Sequence, residues 1–233
     1  QNLWENMIGR FTHTAATFLQ AYAAVAAAPV DANLSDRAEA QAGAVFDGLD
    51  RLWDDTRGVY ALRYDGGDLD SRLDSGTFAL VEAFAAYDRI DEVPPAAVSR
   101  LETHVETTLD GLYREPIACD DGVSGLVRFE DGTRRSADQP GEKLWSVSTA
   151  WGAYAAVELA ALLDSHGRAS DGEAFLGRAT RLYGQLSPDG PFSTDAGYLS
   201  EQIFDDGTPD SATPLAWSHA MRLRLTGTLA AHD

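Results

Sequence analysis

Cysteine and long apolar runs are scarce in this chain of 233 residues. The single cysteine, Cys119, excludes an internal disulfide and a cysteine-based zinc cluster. The sequence has no run of eighteen apolar residues, so we expect no membrane-spanning helix. Residues 1–9 lack the basic and apolar segments of a secretory signal. The five histidines are scattered without the spacing of metal ligands, and no glycine-rich phosphate loop occurs.

Positive charge is scarce as well, because 18 basic residues face 37 acidic residues and leave a formal net charge of −19. Lys143 is the only lysine, and the acids are spread along the whole chain. Such a negative field repels nucleic acid and anionic membranes, so we expect neither as a partner. Scattered acidity also keeps a protein hydrated at high salt. We therefore interpret the chain as a salt-adapted cytoplasmic protein, with an ordinary acidic bias as the alternative.

Helical periodicity is abundant. Apolar residues recur at spacings of three and four, as in Ala38, Ala42 and Val45. Ser35 is the predicted cap of one helix, and either Asp74 or Ser75 is the predicted cap of the next. The pattern predicts an all-α chain that forms one domain, 1–233, with seven helices at 12–28, 35–53, 74–87, 94–109, 148–163, 171–186 and 213–229.

Three long connections, 54–73, 110–144 and 187–212, separate these helices. Loops longer than about 15 residues in a compact domain are usually functional. The middle connection contains the apolar segment 126–129, and the Asp131-Gly132 pair after it predicts a small hairpin with a tight turn. We expect the long loops to build a site at one end of antiparallel helix pairs.

Two glutamates stand among aromatic residues. Glu5 follows Trp4 shortly before the first helix, and Glu201 lies in the Leu-Ser-Glu-Gln segment at 199–202. A carboxyl packed on an aromatic ring is desolvated, which suits a general acid. Each glutamate alone is also typical of a solvent-exposed surface acid.

Together these segments resemble the catalytic part of glycoside hydrolase family 15, which includes glucoamylases, glucodextranases and some trehalases. The resemblance rests on Trp4-Glu5, on the segment 199–202, and on Ala-Thr-Pro-Leu-Ala-Trp-Ser-His at 212–219. The segments 74–80 and 144–151 are similar to two helix starts of the family. The resemblance implies an (α/α)6 toroid and the inverting hydrolysis of terminal α-glucosidic bonds at the non-reducing end of an α-glucan or gluco-oligosaccharide, with no cofactor.

The resemblance also implies a role for each glutamate. Glu5 would be the general acid that protonates the leaving oxygen, and Glu201 would be the general base that activates water. Inversion needs the two carboxyl groups about 6.5–9.5 Å apart. Core packing is the alternative for the aromatic candidates, and His219 is typical of a core histidine. The candidate substrate-binding residues are Trp4, Trp145, Trp151, Tyr198, Trp217 and Arg114.

The chain begins at the motif of the acid, which lies about midway along the catalytic domain of the family. Seven helices are too few for the six inner and six outer helices of the toroid, so we expect an incomplete toroid that represents its second part. A partner chain or a second copy would complete it. Two alternatives stay open: a non-catalytic carbohydrate-binding or interaction domain of the same fold, and a trehalase of the same family.

Overall fold

The computed structural model describes residues 1–117, 119–132 and 138–232. This part of the chain contains an α-helix at each of the seven predicted places, together with two short 3-10 helices, Asp50–Leu52 and Ser75–Phe78. The α-helices are α1 Thr12–Ala27, α2 Ala32–Leu49, α3 Ala79–Tyr87, α4 Pro95–Leu112, α5 Ser146–Ser165, α6 Ala169–Leu186 and α7 Ala216–His232. The predicted helical class is confirmed, and the helix ends shift by several residues.

Helix α2 begins earlier than predicted because Asp31, and not Ser35, caps it. The Asp31 carboxylate accepts hydrogen bonds from the backbone N–H groups of Asn33 and Leu34. The Ser35 hydroxyl donates instead to the carbonyl of Ala26 in the last turn of α1, at 2.8 Å. The prediction of Ser35 as the cap is therefore wrong, since its side chain joins two helices and does not start one.

Short antiparallel strands join the helices. The strands are β1 Arg10–Phe11, β2 Trp53–Asp54, β3 Val59–Tyr60, β4 Arg63–Asp65, β5 Asp68–Asp70, β6 Tyr113–Arg114, β7 Gly125–Leu126, β8 Leu144–Trp145, β9 Gln202–Ile203 and β10 Pro209–Asp210. Within the described residues they form two three-stranded sheets, β1-β4-β5 and β8-β9-β10, and two pairs, β2-β3 and β6-β7.

The predicted hairpin after Leu126 is present only as a turn in the described part of the chain. Leu126 pairs with Tyr113 of β6. The Gly132 N–H donates to the Phe129 carbonyl at 3.2 Å, and Asp131 adopts a left-handed φ of 58°. Residues 133–137, which follow the turn, lie outside the described residues, so the second strand of that hairpin stays a prediction.

The chain divides into two compact units, Gln1–Thr108 and Leu109–Asp233, and the boundary falls within α4. In the first unit α1 packs against α2 and α3. The interpretation of the whole chain as one domain stays a prediction. The core of the first unit includes the buried residues Ala16, Leu19, Ala23, Ala42, Leu80 and Phe84.

In the second unit α6 and α7 pack against α5, which is buried on nearly every side. Among the described helices, α5 alone is long and apolar enough to cross a membrane by length and composition, but 89% of that stretch is buried inside the protein. Gly172 of α6 allows a close approach to α5, since a Cβ there would lie 3.1 Å from the Cα of Ala160. Helix α5 is thus the core helix of this unit.

Candidate functional site

Glu5 stands in a turn that Asn2 holds. The Glu5 N–H donates to the Asn2 carbonyl at 3.1 Å, and the Asn2 side-chain oxygen accepts from the N–H groups of Asn6 and Met7. Glu5 has a φ of 59°, a left-handed conformation that is costly for a residue with a Cβ. Glu5 is exposed, so within the first unit its neighbour Trp4 does not shield it from solvent in the way that the sequence predicts.

Trp4 is fixed by Asp74, which also starts a helical segment. The indole N–H of Trp4 donates to both carboxylate oxygens of Asp74, at 2.9 and 3.0 Å. One of these oxygens accepts from the Gly76 N–H at 2.6 Å, so Asp74 caps the 3-10 helix Ser75–Phe78. Of the two predicted caps, Asp74 is therefore the one that the structure shows, and Ser75 is the first residue of the helix. No local signal pointed to the hydrogen bond that Asp74 accepts from an indole 70 residues away.

Arg63 fixes the chain between the Glu5 turn and α1, and Arg72 shares its carboxylate partner. Arg63 donates to the Ile8 carbonyl at 2.8 Å and to the Asp70 carboxylate at 3.2 Å. Arg72 donates to the same carboxylate at 2.7 Å. The hydrogen bond from Arg72, together with that from Arg63, lowers the pKa of Asp70 to about 2. The turn that carries Glu5 is therefore anchored at both of its ends.

Glu201 lies between the buried Ser200 and the start of β9, and its backbone is held on two sides. Its N–H donates to the Ala212 carbonyl at 2.9 Å. Its carbonyl accepts from the N–H of Ser146, the first residue of α5, at 3.2 Å. The Ser211 hydroxyl donates to the Glu201 carboxylate. The Glu201 side chain is half-buried, so its carboxylate is oriented without being sealed from solvent.

The only lysine of the chain is buried next to this segment. The Lys143 side chain is 1% exposed and forms ion pairs with Asp138 at 2.5 Å and Asp210 at 2.8 Å. Its Nζ lies 4.4 Å from the centre of the Phe204 ring. Because Asp210 precedes Ser211, the pair ties β10 and its neighbour Ser211 to the segment before β8. The lone lysine stands out in the sequence, but no local signal predicts this structural role.

Trp145 is 2% exposed and enclosed by polar groups. The Arg128 guanidinium lies 4.6 Å from the centre of the Trp145 ring and 4.4 Å from that of Phe129. The indole N–H of Trp145 donates to Glu142 at 3.1 Å. Burial raises the pKa of Glu142 to about 7, although Arg128 and the indole oppose this. The packing alternative is therefore what the structure shows for Trp145.

Trp151 and Arg114 are also engaged inside the second unit. Trp151 is buried, and its ring centre lies 6.0 Å from that of the half-buried Trp217. Arg114 donates to the buried Asp205 at 2.5 Å, and Asp205 also accepts from the Ile117 N–H at 2.7 Å. A sugar contact by Trp151 or Arg114 stays a prediction that these contacts do not favour.

Tyr198 keeps the most accessible ring among the predicted aromatic residues, with 48% of its surface exposed. Its ring lies edge-on to His219, with centres 6.1 Å apart. The Nε2 of His219 accepts from the Leu199 N–H at 3.0 Å, and burial lowers the pKa of His219. His219 is half-buried, not a core residue as expected, and it holds the loop that leads into Glu201.

The structure thus places the predicted residues in two groups. The first unit joins Trp4, the neighbour of Glu5, to Asp74, and the second joins Glu201 to Ser211. Within residues 1–117, 119–132 and 138–232, no group of three His, Cys, Asp or Glu side chains is arranged to hold a metal ion.

Solved structures align with nearly the whole chain. A glycoside hydrolase family 15 glucoamylase from Hypocrea jecorina covers 99% of it, with a TM-score of 0.67 and 17% identity. A family 76 mannosidase from Bacteroides thetaiotaomicron also covers 99%, with a TM-score of 0.68 and 11% identity. A D-mannose isomerase covers 96%, with a TM-score of 0.66 and 13% identity. The chain has the (α/α)6 toroid fold of the glycosidases.

The toroid fold predicted from the sequence is confirmed, and the chain aligns with only part of each of these solved structures. It spans 44% of the glucoamylase, 57% of the mannosidase and 56% of the isomerase. No protein-family model and no curated protein matches the sequence. Since hydrolases and an isomerase share this fold, the reaction has to be argued from the residues.

Proposed function

We propose that the chain is part of an inverting glycosidase that cleaves terminal α-glucosidic bonds at the non-reducing end of an α-glucan or gluco-oligosaccharide. The observation that carries this proposal is the setting of Glu201, whose carboxylate accepts a hydrogen bond from Ser211 in a fold shared with glucoamylases. Glu201 lies in the segment 199–202, and Ser211 directly precedes the segment 212–219. Both segments resemble family 15.

In this proposal Glu201 is the general base that activates water. A general base must stand within about 2.6–3.2 Å of the proton donor, so its carboxylate has to be held in one orientation. The backbone bonds to Ser146 and Ala212 and the side-chain bond from Ser211 support that requirement. Half-burial leaves room for the water that Glu201 would deprotonate.

Glu5 is the proposed general acid. Its exposed side chain stands on a turn that is anchored at both ends, next to Trp4, which Asp74 fixes. An acid that protonates a glycosidic oxygen has to be accessible before the sugar binds. The bound sugar would then exclude water from the Glu5 carboxyl. Inversion further requires the carboxyl groups of Glu5 and Glu201 to lie about 6.5–9.5 Å apart in the active protein.

The proposed substrate contacts follow from accessible aromatic surface. Trp4, Tyr198 and Trp217 are half-buried or exposed, so each has ring surface left for the C–H face of a sugar. A neutral glucan also suits a chain of net charge −19, because it meets no electrostatic repulsion. We propose that the rest of the toroid, in a longer protein, a partner chain or a second copy, supplies the remaining contacts.

The test is glucose release from maltose, isomaltose, dextran and trehalose in molar KCl. Glu201→Gln and Glu5→Gln should each lower kcat by about 100-fold or more, the contribution typical of general acid–base catalysis. Glu173→Gln, which changes an exposed glutamate of α6, is the matched control and should leave the rate unchanged.

The configuration of the product separates the alternatives. Inversion predicts that NMR detects β-glucose first, and an α-product would contradict the proposal. Hydrolysis of trehalose alone would favour the trehalase alternative. Binding of sugar without any hydrolysis would favour a carbohydrate-binding domain.

A further inference from the structure

A separate cleft lies within the second unit and encloses about 440 Å³. The end of α4, the strand pair β6-β7 and the second half of α6 form its walls. Glu201 and Ser211 are not among its lining residues. A volume between about 300 and 1,000 Å³ is typical of sites that bind small molecules.

The two residues of strand β6 have different surroundings: one lines the cleft and the other pairs with the buried Asp205. Tyr113 lines the cleft, whereas its neighbour Arg114 does not line it and donates to Asp205. Successive side chains of a strand point to opposite faces. The cleft is therefore distinct from the ion pair that Arg114 forms.

The floor of the cleft is apolar and its rim carries an aromatic ring. Leu109, Leu126 and Leu182 line it and are buried. Tyr113 is exposed at the edge of the cleft. This combination matches a ligand with a C–H face, because such a face packs on leucine side chains and stacks on an aromatic ring.

Two polar atoms of residues that line the cleft lack a hydrogen-bond partner among the described residues. They are Nη1 of Arg178 and Oε1 of Gln185, and both are buried. Arg178 uses its other terminal nitrogen to pair with Asp110. A buried donor or acceptor without a partner is costly, so a ligand that lets these side chains turn toward it and supplies both a donor and an acceptor gains affinity. A hydroxyl group can do both.

The charges around the cleft do not favour an anion. The guanidinium of Arg178 is already paired with Asp110. The Tyr113 hydroxyl donates to the Glu115 carboxylate at 2.8 Å, which places a second negative charge beside the rim. An anion near Arg178 and Arg181 would therefore meet two carboxylates as well as the two guanidinium groups.

We propose that this cleft binds a neutral saccharide at a site separate from the proposed catalytic residues. The apolar floor and the ring of Tyr113 receive the C–H face of the sugar, and Gln185 and Arg178 receive its hydroxyls. The inference does not depend on hydrolysis by this chain, since neither Glu5 nor Glu201 takes part in it.

The experiment is a titration of the ¹⁵N-labelled full chain carrying Glu201→Gln with maltotriose, followed by NMR. The side-chain amide of Gln185 and the backbone N–H of Ser124 should shift with the same dissociation constant. Adding Gln185→Leu or Tyr113→Ala should weaken that binding by about tenfold, the loss expected for one good contact. Gln41→Leu, an exposed change on α2, is the matched control and should leave it unchanged.

The proposal is overturned if maltotriose leaves these resonances in place, if Gln185→Leu and Tyr113→Ala bind as the parent does, or if phosphate or glucuronate displaces the sugar from them. Circular dichroism checks that each variant folds, and Ser124→Ala offers a smaller change in the cleft wall should Gln185→Leu disturb α6. Hydrolysis is measured separately on the chain with Glu201 intact. Loss of hydrolysis and loss of binding at the cleft can therefore each occur without the other.

Discussion

The carboxyl groups of Asp70 and Glu142 show how strongly local contacts shift the pKa of a carboxyl group, and in which direction. Asp70 accepts hydrogen bonds from Arg72 and Arg63, which lower its pKa to about 2. Glu142 also has arginines near it, but burial raises its pKa to about 7. Desolvation outweighs the charges at Glu142, whereas direct hydrogen bonds outweigh desolvation at Asp70.

Glu142 should make the stability of the protein depend on pH. Its pKa rises from an ordinary value of 4.5 to about 7 on folding. Below the lower value the carboxyl is neutral in both the folded and the unfolded chain. As the pH rises through this window, the unfolded chain releases a proton that the folded chain keeps, so the free energy of unfolding falls. The stabilising contribution is lost by the time the pH passes the folded-state pKa.

Glu142→Gln should remove this loss and keep an acceptor for the Trp145 indole. The variant should match the parent at about pH 4 and gain up to about 3 kcal/mol in the free energy of unfolding at about pH 8. Urea unfolding at both pH values measures the difference, with Glu173→Gln as the control. A gain of the same size at both pH values would contradict the assigned titration.

At the scale of single residues, a contact can be predicted from the sequence when its partners are close together along the chain. The cap formed by Asp74 follows from its place before Ser75, whereas the roles of Glu5 and Glu201, taken from short motifs, stay predictions. The hydrogen bond from Trp4 to Asp74 and the burial of Lys143 depend on partners far along the chain. The exposure of Glu5 was missed because adjacency to Trp4 in sequence does not place its carboxyl against the ring.

At the scale of elements, the helices were predictable and the strands were not. The apolar spacing indicated helices such as α2, since a helix that buries one face requires that spacing whatever it packs against. The strands are two or three residues long and carry no period of their own. Their pairing is fixed by distant contacts, such as Trp145 opposite Gln202 and Arg10 opposite Tyr64.

The contact between α5 and α6 gives the element-scale prediction. A methyl group at Gly172 would lie 3.1 Å from the Cα of Ala160, and a backbone atom cannot move aside as a side chain can. Gly172→Ala should therefore destabilise the protein by about 1–2 kcal/mol, because the two helices must separate slightly. Urea unfolding measures the change.

Gly177 of the same helix is the matched control. A methyl group there would meet only the Arg181 side chain, at 3.9 Å. Gly177→Ala should stabilise the protein by about 0.5–1 kcal/mol through its better helix propensity. If both substitutions stabilise the protein equally, α6 does not approach α5 as closely as the structure shows.

At the scale of the whole molecule, the length of the chain bears on how much of the toroid it forms, and its net charge bears on the solvent in which it works. The fold of this chain is that of a toroid glycosidase, and the chain spans 44% of the glucoamylase. The order of the motifs predicts that the chain is the second part of the toroid, which stays a prediction. The net charge of −19 identifies no ligand, and we propose that it reflects work in a salt-rich cytoplasm.

Salt should stabilise the protein if that proposal holds. With 37 acidic residues against 18 basic ones, repulsion dominates the long-range electrostatics of the folded chain. The screening length falls from about 10 Å at 0.1 M salt to about 3 Å at 1 M, which removes most of that repulsion. The Tm at neutral pH should therefore rise between these KCl concentrations. The rise should shrink near the pI of 4.4, where the net charge approaches zero. Equal Tm values at both salt concentrations at neutral pH would leave the charge as an ordinary acidic bias and remove the basis for a salt-rich compartment.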